Sequence, residues 1–363
     1  MAENISHHYV PQFYFKLFTG GSRQICILLL EEGRIVPSAP IKGQCARNWF
    51  YGTVEIEREF SKLEGLHAAA LRALVEAATT DDWPKWSQDH YPWLLQALVF
   101  QRARTMLEVE KVAPAMMAMH LRMFKEYIQA TRPTDEANEI ISAIDGGLLE
   151  FRKNPTVTVF QQLQAALESA ALLTDMQTCI IRNHTDFPFV FSDSPVVFYN
   201  SYCRNITDRG VLGYQTPGLQ IFLPLTSSLQ LMMFDPAVYS GRCCNGPCCD
   251  VVERSDVSNL NVLQLQHSRQ AVYFADPDDA EYVRSLYEAH KPCLVKPEAV
   301  FRVRNDLQVK GEPDGGEIMH SFEPQLNYNL SLSFIGCAPV APRDYVFRHR
   351  SPALVAEHDK MKV

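Results

Sequence analysis

The chain has 363 residues, 47% of them hydrophobic, with 20 Phe and 14 Tyr, enough apolar mass for one large domain or two small ones. A formal net charge of -8 and a pI near 5.8 exclude nonspecific nucleic-acid binding through a broad basic face, while leaving room for a local basic pocket. No apolar run approaches the roughly 20 residues a spanning helix needs, and the N-terminus lacks a signal-peptide pattern, so a soluble cytoplasmic protein is expected.

The chain opens on an unusual stretch. His7, His8, Tyr9 and Pro11 run directly into Phe13, Phe15, Leu17 and Phe18, so two imidazoles and a phenol are carried into the core or to its lip. Residues 24–30 predict a buried strand, Glu31, Glu32 and Gly33 a turn, and residues 34–36 a returning strand. Asn48, Trp49, Phe50 and Tyr51 form an aromatic loop. A helix follows over 54–78, its apolar face built from Ile56, Phe60, Leu63, Leu66 or His67, Leu71, Leu74 and Val75, its polar side from Glu55, Glu57, Glu59 and Glu64. Asp81, Asp82, Trp83 and Pro84 break the chain.

A second long helix is expected over 93–127, with a kink at Pro114, and its Met116, Met117, Met119 and Met123 read as packing residues. Residues 134–151 and 160–174 add two helices, making 54–174 a largely helical insert. Short apolar runs at 176–182, 187–191, 195–198, 218–223, 228–234 and 271–274 then predict strands, with helices over 256–270 and 276–290. The region after 296 has some strand character and ends in a basic tail. The pattern predicts a single α+β domain, with a mixed or antiparallel sheet joining the N-terminal strands to residues 176–274 and the helices on one side.

Of the ten cysteines, Cys243, Cys244, Cys248 and Cys249 crowd into seven residues around an Asn-Gly-Pro turn. A structural zinc site usually draws two short Cys pairs from well-separated segments, so this spacing reads as a hairpin insertion and no metal ligand is assigned. There is also no Gly-rich phosphate loop, no Gly-x-Ser-x-Gly elbow and no His-Glu-x-x-His helix.

Polar groups embedded in apolar sequence remain as candidates for chemistry. His7 and His8 offer acid/base groups that titrate near neutrality, though neighbours in a strand face opposite ways. Asp193 follows an apolar strand and either points into a cleft or accepts backbone N–H groups in a turn. Glu64 flanks the apolar face of its helix. Arg104 clamps either an anion or a glutamate, with Glu64 the candidate partner. Tyr9, Gln101, Arg102 and Asn261 complete the set as ligand-binding groups.

Residues 7–17 (HHYVPQFYFKL) resemble the opening signature of a family of unknown function numbered 4238. Asn48 to Tyr51 with the acidic helix to Glu64, Gln101-Arg102-Ala103-Arg104-Thr105, Ser192 to Val196, Phe222 to Thr226 and Asn259-Leu260-Asn261 resemble further blocks of that family in the same order. The sequence departs from the family pattern at Met106, where proline often follows the Arg-Thr pair. The resemblance implies organisation and supplies no established activity.

Two functional readings follow. In the first, the chain is a hydrolase of a phosphodiester or nucleotide-like anion: His7 or His8 is general base or metal ligand, Asp193 and Glu64 hold a divalent ion or orient the imidazole, and Arg104 stabilises developing charge. In the second, the same groups form a noncatalytic site for a small anionic ligand, a nucleic acid or a protein partner. In a third, purely structural reading they are a buried network that fixes how the N-terminal segment docks on the helices. The first two require the imidazoles, Asp193 and Glu64 to meet at one hollow.

Overall fold

The apolar runs pair into two principal sheets. A computed structural model describes residues 6–83, 89–150, 155–294, 299–304 and 318–361. The chain begins with β1 (Ser6–His8), α1 (Gln12–Phe18), β2 (Gln24–Leu29), β3 (Arg34–Pro40) and β4 (Ala46–Asn48). Helices α2 (Val54–Thr80), α3 (Tyr91–Ala103), α4 (Met106–Thr131), α5 (Thr134–Asp145) and α6 (Pro155–Glu168) follow. Next come β5 (Gln177–Asn183), β6 (Phe191–Ser192), β7 (Val197–Tyr199), β8 (Gln220–Pro224), β9 (Leu229–Phe234), β10 (Ser240–Gly241) and β11 (Cys248–Val251). The remaining elements are α7 (Arg254–Gln266), β12 (Ala271–Phe274), α8 (Ala280–His290), β13 (Val300–Arg304), β14 (Ile318–Phe322), β15 (Ile335–Gly336) and α9 (Pro352–Met361).

The class is α+β, as the pattern predicts. The N-terminal strands do join the later segment: one sheet has the order β3-β2-β12-β6 and is antiparallel throughout. The second, ordered β11-β5-β9-β8-β7, is mixed, because β11 lies parallel to β5. Gly33 closes the β2–β3 turn at φ +62°, and a Cβ there would lie 2.9 Å from the Tyr287 ring.

The signature helix α1 lies where the two sheets meet. Phe15 and Phe18 stand edge-on to Phe191 at 5.2 and 4.7 Å, and Phe15 meets Tyr273 at 5.0 Å, all in the first sheet. Tyr14, equally buried, donates its hydroxyl to the Pro224 carbonyl of the second. Each buried Phe contributes roughly 1.5–3 kcal/mol, so the N-terminal segment is held as firmly as any core element.

The expected long helix over 93–127 is two helices. The break falls at Arg104–Thr105, not at Pro114, which sits inside α4. The reason is local: Thr105 is extended at φ -72°, ψ 151°, and its Oγ1 accepts the Glu108 N–H as the N-cap of α4. Met106 is thereby the first residue of α4, the helical position where proline is best tolerated. α3 is apolar nearly all round, with Leu94, Leu95, Leu98, Val99 and Phe100 buried, as suits a helix enclosed by α2 and α6. The helix expected over 134–151 ends at Asp145, and Phe151 lies outside the described residues.

Thr105→Ala removes the cap and is expected to lower stability by about 1–2 kcal/mol, while Thr105→Ser keeps most of it; urea unfolding of the two variants decides between them.

Candidate functional site

Strand alternation separates the two histidines. His7 is sealed in the core, its ring stacked on Tyr51 at 5.6 Å and edge-on to Trp49 at 6.2 Å. Its Nδ1 accepts the Tyr51 N–H at 3.0 Å, so the neutral ring carries its proton on Nε2, a buried donor with no partner among the described residues. His8 faces outward, with Nε2 3.0 Å from the Lys42 carbonyl. Burial lowers the affinity of both rings for a second proton.

Below them lies a buried guanidinium. Nε and Nη2 of Arg104 both donate to Gln101 Oε1, at 2.9 and 2.8 Å, and Nη1 donates to Glu64 Oε1. Gln101 turns its amide to the Tyr9 carbonyl at 2.9 Å, and the Tyr51 hydroxyl donates to the His8 carbonyl at 3.1 Å. Glu64 and Arg104 are thus brought together with His8 and Tyr9, as an internal brace. The hollow that Gln101 and Arg104 line, beside His67, measures about 10 Å³, room for about one water. Of the two residues the pattern offered for this place on the apolar face of α2, Leu66 is exposed and His67 is buried. Burial and Arg104 push it down to about 3, so its ring is neutral.

Asp193 is occupied elsewhere. Oδ1 accepts the Arg269 N–H at 2.7 Å and Oδ2 the Gln270 N–H at 2.8 Å, which fixes the entry to β12. Its charge acts on Tyr9, Cys45 and Tyr273, whereas that of Glu64 acts on His8, Tyr51 and Glu57. Each carboxylate is thus taken by its own donors, Glu64 by Arg104 and Asp193 by the Arg269 and Gln270 N–H groups, while Cys45 feels both Asp193 and Arg104. Asn261 is also a brace: it accepts from Val190 N–H and donates to the Pro188 carbonyl, at 3.0 and 2.8 Å.

Arg102 points away from Arg104. Its Nη2 lies 2.6 Å from Glu323 Oε2 and 3.3 Å from Glu108 Oε2, and its guanidinium covers the Phe198 ring at 4.1 Å. Lys111 bridges the same two glutamates. His267 adds its Nε2 at 3.6 Å from Glu108, while Nδ1 donates to the Ser194 carbonyl at 3.0 Å. Burial pushes Glu108 upward, but Arg102, Lys111 and His267 more than offset it, and the net shift is downward. Glu108, His267 and Glu323 place three donor atoms within 4.8 Å of one another, a spacing a metal could use. The two cations already fill that role, so two carboxylates face two positive charges. Among the described residues, this Glu-His-Glu set is the group that meets such a spacing.

This charged cluster closes one end of a hollow of about 380 Å³ between α3, α4 and α6. Its walls are Ala103, Val112, Met116, Ala165 and Ala166, with Gln161, Gln162 and Tyr214 at intervals. Arg102 Nε and Gln162 Oε1 are buried and have no partner among the described residues. Nothing in the sequence groups Glu108, Lys111, His267 and Glu323, since 215 positions separate Glu108 from Glu323 and only folding joins them.

A family model described as Protein of unknown function (DUF4238) matches residues 6–278. The chain belongs to this family. The DUF4238 span contains the signature brace, Asp193, Arg102, Glu108 and His267, and stops short of Glu323. No curated protein and no solved structure matches the chain.

One carboxyl beside the brace is tuned. Burial first, then Glu64, raises Glu57 from 4.5 to about 7. Its folded-state value lies above the unfolded one, so stability falls as pH rises between them. Relative to wild type, Glu57→Gln is expected to gain melting temperature from pH 5 to pH 8; a constant difference across that range would show that Glu57 titrates normally. Arg104→Met, which strands Gln101 and Glu64, is expected to cost about 3 kcal/mol or more in urea unfolding.

Proposed function

We propose that the protein is a noncatalytic binding module that takes a small, mainly apolar molecule with a polar end into the hollow above Arg102. The observation that carries this reading is the base of that hollow. Glu108 and Glu323 are neutralised there by Arg102 and Lys111, so the site has no net charge to draw an ion, while its walls are alanine, valine and methionine. Met116 makes the wall adaptable to shape. The buried donor on Arg102 and acceptor on Gln162 give a ligand with one hydrogen-bonding end a reason to prefer this seat over bulk solvent. Support also comes from the signature cluster, where Arg104 and Asp193 spend their charges on protein groups.

The neutral probe N-phenyl-1-naphthylamine tests the seat. Wild-type protein is expected to bind it with enhanced fluorescence, and Ala165→Trp, which fills the hollow from its exposed rim, to lose that binding by about tenfold or more. Equal binding by the tryptophan variant overturns the assignment.

Hydrolysis of a phosphodiester or nucleotide-like anion stands as a second reading, favoured by one observation: Glu57, raised to about 7, lies with Glu64 and His8 at the outer edge of the brace. A carboxyl poised near neutrality suits general acid catalysis, a contribution of about 10²–10⁴ in rate. Turnover of bis(p-nitrophenyl) phosphate, with and without Mg²⁺ or Mn²⁺, is then expected to fall by about a hundredfold in Glu57→Gln and in His8→Ala. Unchanged turnover in the double variant ends this reading.

A further inference from the structure

On another part of the molecule, two hollows of about 520 and 200 Å³ share a wall formed by Arg204 and Asn329. Among the described residues that line them, none is Asp or Glu, although acidic residues outnumber basic ones by 42 to 34 in the chain as a whole. Arg204 donates from Nη1 to Asn329 Oδ1 at 2.7 Å, and no carboxylate among the described residues pairs with it. A neutral partner thus holds the guanidinium in place and leaves its charge and its remaining N–H groups unspent. Arg209, on the same wall, differs: Asp208 takes its Nε and Nη2, at 3.1 and 2.8 Å. The positive field of the joined cleft therefore centres on Arg204, and low-dielectric walls concentrate such a field.

The rest of the lining says what the anion is attached to. Asn205, Thr207 and Asn327 present side-chain amides and a hydroxyl to the larger lobe, where they suit a body rich in hydroxyl groups or ring heteroatoms. The volume of that lobe falls within the range of small-molecule sites. One wall, residues 199–209, belongs to the span shared with the family; the other, residues 324–329, lies beyond it.

We propose that this cleft binds a phosphate monoester carried on a polar body of nucleotide or sugar size, with the phosphate on the Arg204 fork and the body in the larger lobe. A planar guanidinium takes two phosphate oxygens at once, and its pre-set orientation lowers the ordering cost of doing so. The site is independent of the hollow above Arg102 and of whatever that hollow takes.

Isothermal titration calorimetry on the full chain at low salt tests the assignment, with AMP, ribose 5-phosphate, inorganic phosphate and adenosine as probes. AMP or ribose 5-phosphate is expected to bind, adenosine to bind at least about tenfold more weakly, and Arg204→Gln to weaken the phosphate ester by about tenfold or more. Affinity should also fall with added salt. Arg204 is at the surface, so the variant should fold, which circular dichroism checks; Ala165→Trp should leave the binding unchanged. Absence of saturable binding by both esters overturns the proposal, as does an Arg204→Gln variant that binds as tightly as wild type. Inorganic phosphate matching both esters overturns the role of the larger lobe.

Discussion

A guanidinium sealed inside a protein has to have its donors filled, and at Arg104 that requirement organises the amino-terminal third of the chain. Gln101, one helical turn earlier, takes two of its N–H groups and passes its own amide to the Tyr9 backbone. Glu64 takes a third from α2. One side chain therefore ties the end of α3 to the long helix and to the signature strand. The low local dielectric strengthens each of these bonds and makes the loss of any one expensive. Pinning Tyr9 in this way also fixes the start of α1, whose Phe15 and Phe18 close over Phe191 and Tyr273.

Helical geometry divides the labour between two arginines. Arg102 and Arg104, two residues apart at the end of α3, point about 200° apart around its axis, and the extended Thr105 then redirects the chain. Arg104 faces the signature and Arg102 the Glu108–Lys111–Glu323 cluster. Neither cluster gains stability simply from being ionic, because desolvation consumes much of the Coulombic attraction. What each supplies is orientation: a charge with three directed donors tolerates far fewer arrangements than an apolar contact. Thr105 links them further, since its hydroxyl accepts from Ser194, the residue after Asp193, and its helix carries Glu108.

Much of the fold was legible because its elements announce themselves locally. The strands at 24–29, 177–183, 220–224 and 229–234 and the helix at 54–80 follow from apolar runs and periodicity. The break at Thr105 was also written in the sequence, as Thr-x-x-Glu ahead of an apolar run, but the helical pattern on both sides masks it. The division into two sheets was not legible, since pairing depends on partners more than 200 positions apart, such as Cys26 with Phe274. Glu64 with Arg104 could be foreseen as a pair because each flanks an apolar face; the Glu108–His267–Glu323 grouping could not, because each member alone looks like an ordinary surface residue.

Asp193 and Asn261 show why polar residues in apolar sequence mislead. The segment 188–195 contains only a two-residue strand, so most of its backbone groups need partners from outside a sheet. α7 supplies them along one face. Asn261 serves Pro188 and Val190, Gln264 serves Ser192 and Pro195, and His267 serves Ser194. These residues recur every three positions, so a helix that buries Val257, Leu260 and Leu263 also carries a buried polar stripe. Asp193 completes the arrangement in reverse by accepting the two backbone N–H groups just past the helix. In sequence such a stripe is indistinguishable from a set of catalytic groups, because both consist of amide, carboxylate and imidazole placed among apolar neighbours. The distinction lies in what each group faces, and here it is the main chain.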